Sequence, residues 1–375
     1  MSTRVLIVAG EASADKAAAG LVGELRKLIP RPHIFGVGGK QLAKQGMEVI
    51  VPAEKLNVVG IADWFDKAKD VIVSYRKLSQ AIEKQRPDVA VLVDLPDLNL
   101  RLAKKLKKMQ VPVVYYISPQ IWAWRKNRIK IIKDRIDEML VVFPFEAEIY
   151  KAHGIPVKFV GHPLLDSLVP RKRYRDQAII QKSPRIAILP GSRKSELRYH
   201  APVLKELIKK IAEVYPNAQI QVPVADTLSV ETVKDRLKIT PQQISTNSWA
   251  TLDWADLAVV ASGTATLETA LIGTPFCTFY KVSASSAWIF KKMIKYKGFI
   301  AMPNILLGRA VVKEFFQESA KSENIFAEIT RLLNSGPARL NMVSALLNCR
   351  KILGESGANR EAANRIFQKI PKNPV

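Results

Sequence analysis

The sequence predicts an α/β protein built from two Rossmann-like halves. Three observations carry that expectation. Short apolar runs that read as buried strands alternate with amphipathic helical stretches along most of the chain. The alternation stops at a polar, basic stretch, Ser167 to Ser183, and restarts at Arg185. In both halves strand-like runs end in small polar turns that lead into helices, where open α/β sheets bind their ligands. The division is 1–165, 166–355, and a helical tail, 356–375. That tail crosses back either to the first half or to a second subunit of a homodimer.

In the first half, Arg4 to Ala9 is a buried strand. Gly10-Glu-Ala-Ser-Ala-Asp15 follows, then an amphipathic helix to about Leu28. Gly10 lacks the second and third glycines of a dinucleotide fingerprint. His33 to Val37 is a strand, and Gly36, Gly38 and Gly39 are turn chemistry. Val58 to Phe65, followed by Lys67, Lys69, Arg76 and Lys77, has two readings. It is either a loop entering a long helix with its apolar side in the core, or an interfacial patch with a basic fringe that includes Trp64 and Phe65.

Val89 to Val93 is a strand, and Asp94-Leu-Pro-Asp97-Leu-Asn99 stands at its carboxyl end. Asp94 reads as structural. Asp97, beyond the proline, is the better candidate for a base. A metal pair is disfavoured because no third ligand is near in sequence. Val111 to Ile117 is the next strand, running into Ser118-Pro-Gln-Ile-Trp122-Ala-Trp124-Arg125-Lys126. The tryptophans either stack on a sugar or acyl group or form a packed domain edge. Glu138 to Phe143 is a strand, Phe145 to His153 a helix, and Val157 to Val160 a short strand before Gly161-His-Pro163.

The second half opens with the strand Arg185 to Leu189 and the turn Pro190-Gly-Ser-Arg193. Arginine in such a turn offers a planar fork that matches phosphate oxygens. Ala218 to Val222 is a strand and Val230 to Leu237 a helix. Leu257 to Ala261 is a buried strand, Ser262-Gly263-Thr264 a small turn with Thr264 as helix N-cap, and Thr266 to Ile272 a helix stopped by Gly273 and Pro275. Amides and a helix dipole at this turn suit a diphosphate, and Glu268, one turn further in, suits a ribose diol. The alternative is an ordinary strand–helix unit. Pro275 to Tyr280 is a strand, and Trp288 to Met293 is amphipathic and basic. Met302 to Gly308 reads as a loop whose Asn304 meets the ligand. Helical runs near Glu323 to Asn334, Ala338 to Leu353 and Asn359 to Lys369 close the chain.

Hydrophobic residues make up 48% and charged residues 25% of the 375, as in a globular protein with a large core. The formal net charge of +24 implies an anionic partner: nucleic acid, an anionic membrane or phosphorylated substrates. The cations are scattered through amphipathic helices without a nucleic-acid module, which argues against nucleic acid. Cys277 and Cys349 give neither a disulfide framework nor a zinc site, and fit a reducing cytoplasm. Met1 to Gly10 does not read as a secretory signal, and no apolar run reaches the roughly 18 residues of a membrane span.

Several of these pieces resemble one family in their order along the chain. Gly10–Asp15, Asp94–Asn99, Ser118–Trp124, Gly161–Pro163, Leu189-Pro-Gly-Ser-Arg193, Ser262-Gly-Thr-Ala-Thr-Leu-Glu268 and Pro303-Asn-Ile-Leu306 are similar to the motifs of the lipid-A-disaccharide synthases. Ala14 stands where that family usually has Gly, and Leu95 and Leu98 where Ala and Phe are common. The resemblance implies a GT-B glycosyltransferase, two Rossmann-like domains facing a cleft. It implies an inverting transfer from UDP-2,3-diacylglucosamine to 2,3-diacylglucosamine 1-phosphate, giving a β-1,6-linked disaccharide 1-phosphate and UDP. It implies no metal and no cofactor, and work at the cytoplasmic face of the inner membrane.

On that reading Asp97 is the base, with Glu11 as alternative or helper. Arg193 stabilises the leaving diphosphate. Ser262, Gly263, Thr264 and Thr266 hold the phosphates, Glu268 the ribose, and Asn304 meets the nucleotide. Trp64, Phe65, Trp122 and Trp288 contact lipid or acceptor. A UDP-sugar 2-epimerase, which shares the two-half architecture, is the rival within the enzymes.

Overall fold

The computed structural model describes residues 2–56, 61–122, 127–171, 174–283, 287 and 298–371, and for 61–69 the backbone alone. It divides into two compact units, Met1–Ser167 with Leu353–Val375, and Leu168–Ile352.

The first unit is a parallel sheet of β1 (Arg4–Ala9), β2 (His33–Gly38), β3 (Glu48–Pro52), β4 (Val89–Val93), β5 (Val113–Tyr116), β6 (Glu138–Val141) and β7 (Val157–Phe159). The strand order is β3-β2-β1-β4-β5-β6-β7, so the direction of winding reverses between β1 and β4. There Val5 lies opposite Val89, and Ala9 opposite Val93. Both strands are near-continuous aliphatic runs because helices cover both faces of the sheet. Leu6, Leu78, Ile82, Leu102, Leu106 and Ile132 share the core on one side. Leu78 and Ile82 come from the long helix Ile61–Gln85, whose apolar stripe therefore faces the core over that part of its length. Ile72 and Val73 on the same helix are exposed.

The helix Ala358–Lys369 packs with Ala12–Leu28 in this unit. Two carboxylates hold it. Asp166 Oδ1 accepts from the Gly357 amide (2.5 Å) and the Ala358 amide (3.1 Å), and Oδ2 from the Asn359 amide (3.0 Å). This satisfies amides that a helix start leaves orphaned. Glu138, almost wholly buried at the start of β6, pairs with Arg365 and with Lys369 (3.2 Å).

The second unit is a parallel sheet of β8 (Arg185–Leu189), β9 (Gln219–Pro223), β10 (Ile244–Ser245), β11 (Leu257–Ala261), β12 (Phe276–Tyr280) and β13 (Glu314–Phe316). Its order is β10-β9-β8-β11-β12-β13, and here the winding reverses between β8 and β11. The basic stretch Ser167 to Ser183, which fits either a linker or a solvated helix at the edge of the second half, carries the helix Gln177–Lys182 and is bound into this unit from Leu168 on. Arg175 pairs with the buried Asp256 at 2.5 Å, and Arg171 Nη1 donates to the Ala255 carbonyl at 2.7 Å.

Sequence and structure differ at short elements. β3, β10 and β13 are strands beyond those the sequence predicts. Met302–Leu307 is a helix rather than a loop, closed by Gly308 in the left-handed region at φ 64°. Among the described residues no helix is long and apolar enough to cross a membrane.

Candidate functional site

Each sheet places its chemistry at the carboxyl edge, beside the reversal of winding, where open sheets bind ligands. In the first unit the turns after β1 and β4 are neighbours. A Cβ on Gly10 would lie 2.4 Å from Leu95 Cδ2, so the Leu95 side chain packs directly over Gly10 and a larger residue there would have to displace it. Glu11 follows as the N-cap residue of Ala12–Leu28. After β4, Asp94 and Leu95 both adopt the left-handed region, at φ 50° and 45°. Non-glycine residues there cost on the order of 1–3 kcal/mol each and persist only where neighbours hold them. Here Asn99 Nδ2 donates to the Asp94 carbonyl (2.6 Å), and the Tyr115 hydroxyl donates to the same oxygen (2.5 Å).

The strained turn delivers Asp97 into the first turn of Pro96–Lys108. Its side chain is 70% exposed, while its ion-pair partner Arg128 is only 10% exposed. Asp15, in the Gly10–Asp15 motif, does different work. Its buried carboxylate accepts from the amides of Gly39 (2.7 Å), Gln41 (2.8 Å) and Leu42 (3.2 Å) and caps the helix Lys40–Lys44.

After β5, Ser118 Oγ donates to Glu146 Oε1 at 2.7 Å. Burial pushes the Glu146 carboxyl up to about 7, against the hydrogen bonds from Ser118, the Phe143 amide and Trp122 that favour its charged form. The Trp122 ring stands edge-on to Phe145 at 5.4 Å, which favours the packed-edge reading of that residue. His162 Nδ1 accepts from the Leu164 amide at 3.2 Å, and burial lowers its pKa to about 3, so it is a neutral turn-former. Trp64 and Phe65 have only backbone described, and Trp124 and Trp288 lie outside the described residues.

In the second unit the turns after β8 and β11 flank the reversal. The first holds Gly191 at φ 106°, then Ser192 and Arg193, the N-cap residue of Lys194–Val214. Glu196, in the first turn of that helix and buried, accepts from the Ser192 amide (2.9 Å), the Arg193 amide (3.3 Å) and Arg193 Nη1 (2.8 Å). The second turn places Gly263, at φ 142°, as N-cap of Thr264–Ile272, so Thr264 is the first helical residue rather than the cap. Gly263 and Thr264 are exposed, and a Cβ on Gly263 would meet nothing within 4 Å. This helix start therefore faces open space, as an anion site requires. Glu268 is partly buried one turn on.

Two expected ligand contacts are spent inside the protein. Thr266 is fully buried, its hydroxyl donating to the Gly263 carbonyl (2.8 Å) and accepting from the Met302 amide (3.3 Å). Asn304 Nδ2 donates to the Val312 carbonyl (2.7 Å) and Glu314 (2.8 Å), and Oδ1 accepts from the Val311 (2.8 Å) and Val312 (2.9 Å) amides. That uses the full capacity of an amide side chain and leaves none for a ligand. Asn304 shapes the loop instead. Among the described residues no cluster of three or more His, Cys, Asp or Glu could hold a metal ion.

A family model described as lipid-A-disaccharide synthetase matches residues 5–368. The chain belongs to the lipid-A-disaccharide synthase family. The lipid-A-disaccharide synthase of Myxococcus xanthus (strain DK1622) is 39% identical over 380 residues, covering 99% of each chain. That of Syntrophus aciditrophicus (strain SB) is 39% identical over 381 residues, again 99% of each. In fold the chain is similar to the UDP-GlcNAc 2-epimerase of Neisseria meningitidis bound to UDP-GlcNAc, with TM-score 0.65, 12% identity, and coverage of 98% and 100%. It is also similar to the calicheamicin glycosyltransferase CalG4, with TM-score 0.59, 14% identity and 100% coverage of each. As a lipid-A-disaccharide synthase the chain is a glycosyltransferase of lipid A disaccharide formation. The matches favour neither the epimerase nor the nucleic-acid reading.

Sequence reasoning missed Arg128, Glu146, Glu196 and His200. Glu196 had a signal, since a carboxylate three residues after an N-cap is capping-box spacing. Arg128 had none, because it stands 31 residues from Asp97.

Proposed function

We propose that the chain transfers 2,3-diacylglucosamine from its UDP donor to 2,3-diacylglucosamine 1-phosphate, with inversion, needing no metal. The observation that carries the site assignment is the pairing of chemistry with winding reversal. Carboxylates stand at the reversal of one sheet, and arginine with an open helix start at that of the other. Asp97 takes the proton of the acceptor hydroxyl, with Glu11 as its alternative or helper. The freed oxygen bonds to the anomeric carbon as the bond from that carbon to UDP breaks. Arg193 and the Ser262–Thr264 turn neutralise the charge that gathers on the diphosphate. Glu268 accepts from the ribose, while Thr266 holds the turn in shape. Incubating the purified protein with both lipids in a chelator should give the disaccharide 1-phosphate by mass spectrometry. No product, or product only after a divalent cation is restored, overturns this reading.

We further propose that the enzyme works on the anionic inner-membrane surface. The exposed Ile72 and Val73 beside the exposed Arg76 and Lys77, together with the +24 charge, support it. A juxtamembrane cation contributes about 1 kcal/mol. A Trp64→Ser, Phe65→Ser double variant is expected to co-sediment less with vesicles containing anionic lipid. Sedimentation equal to the parent at every salt concentration counts against the patch.

A further inference from the structure

The turn after β8 looks like a backbone anion site, yet its amides are taken. Glu196 Oε2 lies 2.9 Å from the Ser192 amide and 3.3 Å from the Arg193 amide, and Oε1 lies 2.8 Å from Arg193 Nη1. The carboxylate is 6% exposed and the arginine 33%. Gly191 has φ 106°, a conformation that favours glycine, and a Cβ there would sit 2.6 Å from Glu196 Oε2, in the space the carboxylate occupies. One helical turn on, His200 grips the same turn from the other side. Its Nδ1–H donates to the Pro190 carbonyl at 2.8 Å, and Nε2 accepts from the Lys281 amide at 3.2 Å. An Nε2 that accepts a backbone N–H belongs to a neutral ring, and burial lowers the pKa of His200 in agreement. The Tyr280 hydroxyl, at the end of β12, lies 3.4 Å from Glu196 Oε1.

We infer that Glu196 is a positioning residue for Arg193. It fills the anion hole of the β8 turn with the protein's own carboxylate and fixes one edge of the guanidinium, so that this turn meets the leaving diphosphate with a side-chain cation already ordered. The inference rests on the proposed place of Arg193 in the donor site. An arginine left to rotate loses rotamer freedom each time it engages, and ordering it beforehand removes that penalty. The benefit belongs to the transition state, where charge on the diphosphate is greatest.

The test is a double-mutant cycle on the full-length protein, with Arg193→Ala, Glu196→Gln and both together. Turnover, KM for the UDP donor and UDP affinity are measured in each. Glu196→Gln keeps an acceptor for the amides but cannot pair with a guanidinium. It is expected to lower kcat about tenfold while KM for the donor moves less than about threefold. In the Arg193→Ala background the same change is expected to cost nothing further. Glu196→Asp, which keeps the charge on a shorter arm, serves the same cycle should the amide variant fail to fold. Unchanged turnover in Glu196→Gln overturns the inference. So does a loss that persists undiminished beside an impaired Arg193→Ala, because Glu196 would then act on the fold and not through the arginine. If Arg193→Ala itself keeps full turnover and UDP affinity, the donor-site reading falls and this inference falls with it.

Discussion

Asp97→Ala is expected to lose about a hundredfold to ten-thousandfold in turnover, the range for removing a positioned general base, while UDP affinity stays at the parent value. The two halves of this expectation come from different places. Asp97 sits in the first unit, at the start of Pro96–Lys108, with its side chain 70% exposed. The residues assigned to UDP are all in the second. The variant also removes one ion-pair partner from a nearly buried Arg128, which is destabilising. Asp97→Asn, which leaves an acceptor for Arg128, separates loss of the base from loss of fold. Steady-state assays with calorimetric UDP titration decide the matter. A near-normal rate in a folded Asp97→Ala protein removes Asp97 as the base and moves the test to Glu11→Gln.

Arg193→Ala is expected to lower kcat by about a hundredfold or more, as removing a preorganised charge contact does, and to weaken UDP binding as well. Both should fall together because the charge that gathers on the diphosphate in the transition state is retained in free UDP. The fold should survive, since Glu196 retains the Ser192 and Arg193 amides as partners. Calorimetry that finds parent-like UDP affinity in this variant places Arg193 outside the diphosphate site.

The strands that carry these residues were legible because β4 and β11 are short, wholly apolar runs between polar turns, and β1 and β8 are apolar after a leading arginine. Covered parallel strands write themselves into a sequence in that way. β3, β10 and β13 did not, being edge or near-edge strands of five, two and three residues with exposed or half-exposed positions. The turn residues Asp97, Arg193 and Gly263 were legible from their place after a strand. What they touch was not. Arg128 reaches Asp97 only through the packing of two helices that follow different strands. Asn304 and Thr266 show the reverse failure. Their polarity and position suggested ligand contacts, but buried backbone groups claim them first, because an unpaired buried amide is costly. Met302–Leu307 does not announce itself as a helix, since it is only six residues long and followed by glycine. Proline at the first turn and a left-handed glycine just past the end are equally the marks of a short helix.

The helix Ala358–Lys369 has a consequence for how the protein is made. The ribosome makes Leu353 and the residues after it only once all of Leu168–Ile352 has been made, so the first unit is synthesised in two pieces separated by the whole of the second. Until then Glu138 lacks Arg365 and Lys369, and the helix Ala12–Leu28 lacks the helix it packs with. A nascent chain stalled at Ile352 should therefore be cut by protease within 1–167 far faster than the released protein, and equal resistance of the two would refute this. The same arrangement means that a chain cut short before Leu353 can complete the second unit but not the first.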